Sequence, residues 1–178
     1  MQQVVETTHL SSAVVGHERD FELLILPLAE RGYRLACAML HDPQAAQDAV
    51  QEASLTAWRK LPGVRDRGRL RPWFLGIVVN ECRNSRRLKW VADVSLGLPA
   101  ELSIASAEDR VLQGADLRRA VSQLDSRDRL VVVLFFYVDL PLEEVAAVVG
   151  SSVGAARARL YRAVKRLRPD LAIQEAIQ

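Results

Sequence analysis

The chain has 178 residues, of which 49% are hydrophobic and 26% are charged, and its nine Gly and seven Pro exclude a collagen-like or low-complexity protein. Its apolar runs are far shorter than the ~18 residues of a membrane-spanning helix, and no signal-peptide pattern stands at its start, so we expect a globular cytoplasmic protein without membrane insertion. Two cysteines are too few for a disulfide scaffold and fit a reducing compartment.

Positive charge is concentrated in two parts of the chain, although the formal net charge is only +2. Residues 65–89 contain eight Lys and Arg against Asp66 and Glu81, which gives +6, and residues 154–168 contain six Lys and Arg with no acid. An acidic stretch at 91–110 separates them. Because concentrated Lys and Arg displace counterions from phosphates, two basic regions indicate two contacts with one long polyanion. Two solvated helix faces are the alternative.

Apolar residues recur at helical spacing, and no period-two alternation is sustained, so we predict an all-α fold of two small domains. The first helix is predicted over residues 19–40, where Pro27 and Gly32 would bend or loosen it. Asp42 as N-cap and Pro43 at the first helical position begin a second helix that runs to residue 60. After a basic loop at 64–71, Pro72 opens a third helix that is predicted to end at about residue 88.

Residues 91–105 contain Gly and Pro without a sustained period, which predicts a flexible linker. Ser106 and Asp109 form a capping-box pattern, so a fourth helix is predicted over residues 106–123. Asp125 and Ser126 then cap a strongly apolar fifth helix that runs to about residue 138.

The last two predicted helices have the outline of a helix-turn-helix motif. Residues 142–149 form a short helix ended by Gly150, and Ser152 begins a longer basic helix that Pro169 ends. At 100° per residue the apolar residues of this last helix share one side, and small residues flanked by long cations occupy the other. Such a side can enter a DNA major groove. We therefore predict that duplex DNA is bound by Ser152, Ala155, Arg157, Ala158, Arg159, Arg162 and Lys165.

Blocks in both halves of the chain resemble bacterial RNA polymerase sigma factors of the extracytoplasmic-function (ECF) group. Residues 140–163, LPLEEVAAVVGSSVGAARARLYRA, resemble region 4 of that family. Residues 46–53, AQDAVQEA, followed by Trp58, resemble region 2.2, and WFLGIVVN at 73–80 with the arginines after it resembles regions 2.3 and 2.4. The resemblance divides the chain into an N-terminal extension (1–18), region 2 (19–90), a linker (91–105), region 4 (106–170) and a C-terminal tail (171–178).

The resemblance implies a dissociable subunit that recruits core RNA polymerase to promoters and opens the duplex, without catalysing a bond change itself. Asp48, Gln51 and Glu52 would bind the coiled coil of the polymerase β′ subunit, and helical spacing places them on one polar face. Region 4 would bind the −35 duplex and meet the β flap. An anti-sigma factor is a further partner implied by the family. The −10 element, including its non-template strand, would be bound by Arg65, Arg67, Arg69, Asn80, Arg83, Arg86 and Arg87.

Three positions depart from the family pattern. Pro141 stands where a Ser or Thr cap is usual, so we expect the sixth helix to begin with proline at its first position. Ala155 and Ala158 replace the usual Thr and Ser. The absence of these two hydroxyl groups predicts that the sequence preference at the −35 element is relaxed or shifted toward T-rich steps.

Two other classes of function compete with this one. Cys37 and His41 have a spacing that can hold a metal, but two ligands do not make a zinc site, and no Gly-rich phosphate loop or GxSxG motif occurs. We therefore predict no catalytic residue, no metal and no cofactor. The stronger alternative is a stand-alone helix-turn-helix regulator whose N-terminal half senses a ligand or dimerises. That alternative leaves the polar face at 48, 51 and 52 and a second basic region unexplained.

Overall fold

The computed structural model describes residues 17–95, 120, 121 and 123–167. Within these ranges the chain forms helices and short turns without any strand, which confirms the all-α prediction. Most of the predicted extension, linker and fourth helix, together with the C-terminal tail, lies outside the described residues.

The first predicted helix is interrupted at Ile25. Residues 17–24 are helical, and α1 follows as Leu26–Leu40. Pro27 lies in the first turn of α1, where its missing N–H removes no helical hydrogen bond, so the break precedes the proline. Gly32 does not loosen α1. It is buried, and a Cβ at this position would lie 3.2 Å from both Phe74 Cε1 and Val78 Cγ2, so the glycine permits close helix packing.

The next two helices, α2 (Pro43–Lys60) and α3 (Leu70–Ser95), complete the first domain. The predicted cap is confirmed, because Asp42 Oδ1 accepts hydrogen bonds from the backbone N–H groups of Gln44 and Ala45 at 3.0 and 3.1 Å. Short 3-10 turns at Leu61–Gly63 and Arg67–Arg69 connect the two helices. The third helix begins before the predicted Pro72 and continues past residue 88 into the predicted linker.

The second domain contains α4 (Ser126–Val132), which continues as a π-helical turn (Val133–Tyr137), then α5 (Leu142–Val149) and α6 (Val153–Leu167). Asp125 caps α4, as predicted, by accepting backbone N–H bonds from Arg127 and Asp128 at 2.9 and 3.0 Å. Gly150 ends α5 in the left-handed conformation with φ of 67°. Ser152 Oγ accepts from the Ala155 N–H at 3.2 Å and caps α6.

The expected start of α5 was wrong by one position. Pro141 is extended, with φ of −61° and ψ of 152°, and it precedes the first helical residue rather than occupying it. Its carbonyl accepts from the N–H groups of Glu144 and Val145 at 2.9 and 3.0 Å. The main chain therefore begins this helix without a side-chain cap.

The two domains are packed against each other through α3 and α5. Arg71 of α3 and Glu144 of α5 form a two-pronged ion pair, in which the Nε–Oε2 distance is 2.6 Å. Arg31 of α1 also donates from Nη1 to the carbonyl of Val138 at 3.5 Å. No described helix is both long enough and apolar enough to cross a membrane.

Candidate functional site

The predicted polymerase-binding residues lie together on one exposed side of α2. Asp48, Gln51 and Glu52 are all exposed, and the opposite side of the helix buries Ala46, Ala49, Ala53 and Ala57. Asp48 Oδ1 accepts from Gln44 Nε2 at 3.2 Å. Leu55, one turn further along the same side, is 45% exposed. Small buried residues allow α2 to pack closely against its neighbours, and the polar side faces away from this contact.

The predicted −10 residues form two exposed groups in the first domain. Arg65, Arg67 and Arg69 lie in the connection before α3, whereas Asn80, Arg83, Arg86 and Arg87 lie on α3 itself. Arg67 pairs with Asp20 at 2.5 Å, and its hydrogen bond lowers the pKa of that carboxyl. Asp66 accepts from the Gly68 N–H at 3.0 Å, which shapes the turn between these arginines.

Helix α6 has the predicted division into a buried and an exposed side. Ala156, Leu160 and Ala163 are buried where α6 packs against α4 and α5. The outward side exposes Ser152, Ala155, Arg157, Ala158, Arg162 and Lys165, with Tyr161 beside them. The methyl groups of the two alanines lie between long cationic side chains, which is a shape suited to a major groove.

Arg159 is the exception among the predicted −35 residues. Its Nη1 atom lies 3.0 Å from Oδ1 of Asp128, and Arg166 Nη1 lies 3.1 Å from the other oxygen of the same carboxylate. The Asp128 side chain is only 5% exposed. Arg159 therefore connects α6 to α4 in this structure, and its contact with DNA stays a prediction.

Asp128 was not among the residues predicted from the sequence. In sequence it is an acid in the first turn of a helix, where negative charge is common for local reasons. Its partners are 31 and 38 residues away, so no local spacing reveals the contact.

Cys37 and His41 lie at the C-terminal end of α1. Cys37 is half-buried, and His41 ends the helix in the left-handed conformation. Across the described ranges, no group of three or more His, Cys, Asp or Glu side chains is arranged to hold a metal ion. Burial raises the pKa of the other cysteine, Cys82, to about 12, which keeps this thiol protonated near neutral pH.

Family models match both halves of the chain. Sigma-70 region 2 matches residues 24–91, and Sigma-70 region 4 matches residues 115–167. The RNA polymerase sigma-E factor of Streptomyces antibioticus is 30% identical over 160 residues, which cover 88% of this chain and 87% of the relative. The chain belongs to the sigma-70 family. This sigma factor also matches relatives named as ECF sigma factors.

One further relative and one solved structure are similar to this sigma factor over most of its length. RNA polymerase sigma factor SigV of Bacillus subtilis is 28% identical over 166 residues, covering 91% of this chain and 90% of the relative. The structure of the sigma factor RpoE in complex with the anti-sigma factor NepR from Bartonella quintana aligns with a TM-score of 0.67 at 24% identity. That alignment covers 84% of this chain and 94% of the RpoE chain, and it shows a shared fold. The side chains that contact polymerase and DNA stay predictions.

Proposed function

We propose that this sigma factor binds core RNA polymerase through α2 and promoter DNA through α3 and α6, and so directs transcription initiation in the cytoplasm. The observation that carries the proposal is that each of these helices exposes a distinct surface while its opposite side is buried. The surface of α2 is acidic and polar, whereas those of α3 and α6 are basic. One chain can therefore hold a protein partner and a nucleic acid at separate places.

The polymerase contact is supported by the composition of the α2 surface. Asp48 and Glu52 provide two carboxylates, Gln51 provides an amide, and Leu55 adds exposed apolar area on the same side. Charged residues around an apolar contact give an interface specificity and faster association. We propose that this surface receives the coiled coil of β′, and that an anti-sigma factor regulates the protein.

The −35 contact is supported by the geometry of α6. Ala155 and Ala158 are short enough for the helix to approach base edges, and their methyl groups suit the methyl groups of thymine. Arg162 and Lys165 lie further along the same side and reach phosphates or guanines. Asn80 and the arginines of α3 are proposed to bind the −10 element, where a basic track follows the DNA backbone.

Reversing charge on α2 tests the polymerase contact. Asp48→Lys combined with Gln51→Lys should weaken binding to purified core polymerase by at least about tenfold, because the first change reverses a charge and the second adds a positive charge at the proposed contact. Glu30→Lys combined with Gln123→Lys makes the same charge changes at exposed positions away from the α2 surface. Affinity is measured by fluorescence anisotropy after circular dichroism has shown that each variant is folded. Equal affinities for the two double variants would overturn the α2 assignment.

A transcription assay tests the function itself. Core polymerase with this chain should produce run-off transcripts from a cognate promoter, whereas a stand-alone regulator would bind duplex DNA without polymerase. Arg162→Gln with Lys165→Gln should weaken −35 duplex binding and reduce its salt slope by about 1 for each phosphate that the variant no longer neutralises. Arg59→Gln, at an exposed position of α2, serves as the control. An unchanged salt slope in the α6 variant would reject this DNA-facing side.

A further inference from the structure

A cavity of about 290 Å³ lies between the two domains, where α1, α3 and α4 meet. Three arginines line it, namely Arg83 and Arg86 from α3 and Arg129 from α4. Ser126 adds a hydroxyl group. In the parts of the chain that the structure describes, no acidic side chain contributes to this lining. The cavity therefore brings together hydrogen-bond donors from both domains, and all the charged side chains that line it are positive.

The positive charges at the cavity change the pKa values of groups beside them. The pKa of Arg129 is lowered by burial and then by the positive charge of Arg86, whereas the negative charge of Asp125 opposes this shift. The pKa of His41 is lowered by partial burial and then by the charges of Arg129 and Arg86. Repulsion among like charges opposes such an arrangement. An anion placed between the guanidinium groups would turn this repulsion into attraction.

Arg129 is held in position before any ligand arrives. Its Nε donates to the carbonyl of Val121 at 3.2 Å, and its Nη2 donates to the carbonyl of Leu124 at 3.0 Å. These two bonds fix the plane of the guanidinium group at the cavity wall. A donor that is already oriented loses less conformational entropy on binding.

The remaining wall of the cavity is apolar. It is formed by Ala38, Met39, Leu130 and Val133. Apolar surroundings lower the local dielectric constant, so the attraction between an anion and the half-buried Arg129 guanidinium is stronger there than on an open surface. Guanidinium groups match the geometry of phosphate oxygens and can bind them with two parallel hydrogen bonds. Arg129, whose Nε and Nη2 already donate to the main chain, contributes mainly its positive charge.

We propose that this cavity binds a small phosphorylated anion of the pyrophosphate type, which bridges Arg83 and Arg86 of the first domain to Arg129 and Ser126 of the second. The inference goes beyond the proposed sigma function and does not require polymerase. A ligand that contacts both domains favours the arrangement in which they are packed together. The same ligand competes with −10 DNA for Arg83 and Arg86.

Isothermal titration calorimetry of the full chain with inorganic pyrophosphate tests the site. Wild type should bind one equivalent, and Ser126→Asp should weaken binding by at least about tenfold, because it places a negative charge at the cavity. Asp is well tolerated in the first turn of a helix, so this variant should remain folded. Arg129→Gln should weaken binding similarly. Arg127→Gln removes the same charge at an exposed neighbouring position outside the lining and should change affinity by less than about twofold.

These titrations distinguish binding in the cavity from adsorption to surface arginines and from binding of DNA phosphates. Absence of binding by wild type, or equal affinity in wild type and Ser126→Asp, would overturn the proposal, because adsorption to surface arginines does not depend on Ser126. Titration of the same variants with a single-stranded −10 oligonucleotide distinguishes a free anion from a DNA phosphate. Arg129→Gln should leave that affinity within about twofold of wild type. An equally large loss with the oligonucleotide would assign the cavity to the DNA backbone and overturn the free-anion site.

Discussion

The carboxylate of Asp128 joins two arginines of α6 to the start of α4. Asp128→Asn keeps the shape of the side chain but removes its charge. A hydrogen bond to a charged group contributes about 1.5–3 kcal/mol, and both arginines are partly exposed, so we expect the free energy of unfolding to fall by about 1–2 kcal/mol. Urea denaturation measures this change.

The matched control for Asp128 is Asp139→Asn. Asp139 is exposed and has φ of 59°, a conformation that Asn also adopts readily. This control should change the unfolding free energy by less than about 0.5 kcal/mol. Equal losses in both variants would show that charge alone, rather than the contact with α6, is responsible.

His41 gives the protein a pH dependence in a defined window. Partial burial and then the charges of Arg129 and Arg86 lower its pKa from the ordinary value of 6.5, so the folded chain binds this proton more weakly than the unfolded chain. The contribution of His41 to the free energy of unfolding is therefore fully present above pH 6.5. It is lost as the pH falls from there toward the folded-state pKa of this group.

His41→Asn removes the titrating group and keeps a residue that tolerates φ of 55°. The Tm of wild type should decrease more than that of this variant between about pH 7 and pH 5.5, where carboxylates contribute little. Thermal unfolding followed by circular dichroism across this range provides the comparison. Parallel decreases in Tm would contradict the assignment.

Two helical glycines have opposite roles in the packing of α1 and α3. A Cβ on Gly32 would lie 3.2 Å from Phe74 and Val78, whose side chains are fully buried and cannot easily move, whereas a Cβ on Gly76 would meet no heavy atom within 4 Å. Gly32→Ala should therefore lower the unfolding free energy by about 1–2 kcal/mol. Gly76→Ala should raise it by up to about 1 kcal/mol, because alanine favours the helix. Equilibrium urea unfolding of the pair checks both signs, and stabilisation by Gly32→Ala would reject the close-packing role.

Helix ends differ in how well local sequence predicts them. Asp42, Asp125 and Ser152 act as caps through bonds to N–H groups two or three residues ahead, so their role is contained in a few adjacent positions. The break at Ile25 and the continuation of α3 to Ser95 were not predicted. A proline near a helix start can follow a break or be absorbed in the first turn, and the neighbouring packing decides between these outcomes.

Arg71 and Glu144 form an ion pair across the contact between the domains. These side chains are 35% and 23% exposed, and the hydrogen bond from Arg71 to Glu144 is two-pronged. Glu144→Gln should loosen the packed arrangement and increase the radius of gyration measured by small-angle X-ray scattering, with a larger effect at low salt. Glu143→Gln makes the same change at the neighbouring position and should leave the radius unchanged. An identical radius in wild type and both variants would show that the pair does not hold the domains together.

The sequence by itself determined the helical class, the two-domain order, the caps of α2, α4 and α6, and the exposed sides of α2 and α6. These features depend on periodicity and on bonds between residues close in the chain, so they can be read from local patterns. The likeness of both halves to sigma factors then identified the family. Only the tertiary structure revealed that Arg159 binds Asp128, that Arg71 meets Glu144, and that arginines from two domains converge on one cavity. The partners in these contacts are separated by tens of residues along the chain, and their meeting depends on how whole helices pack, which no short sequence window contains.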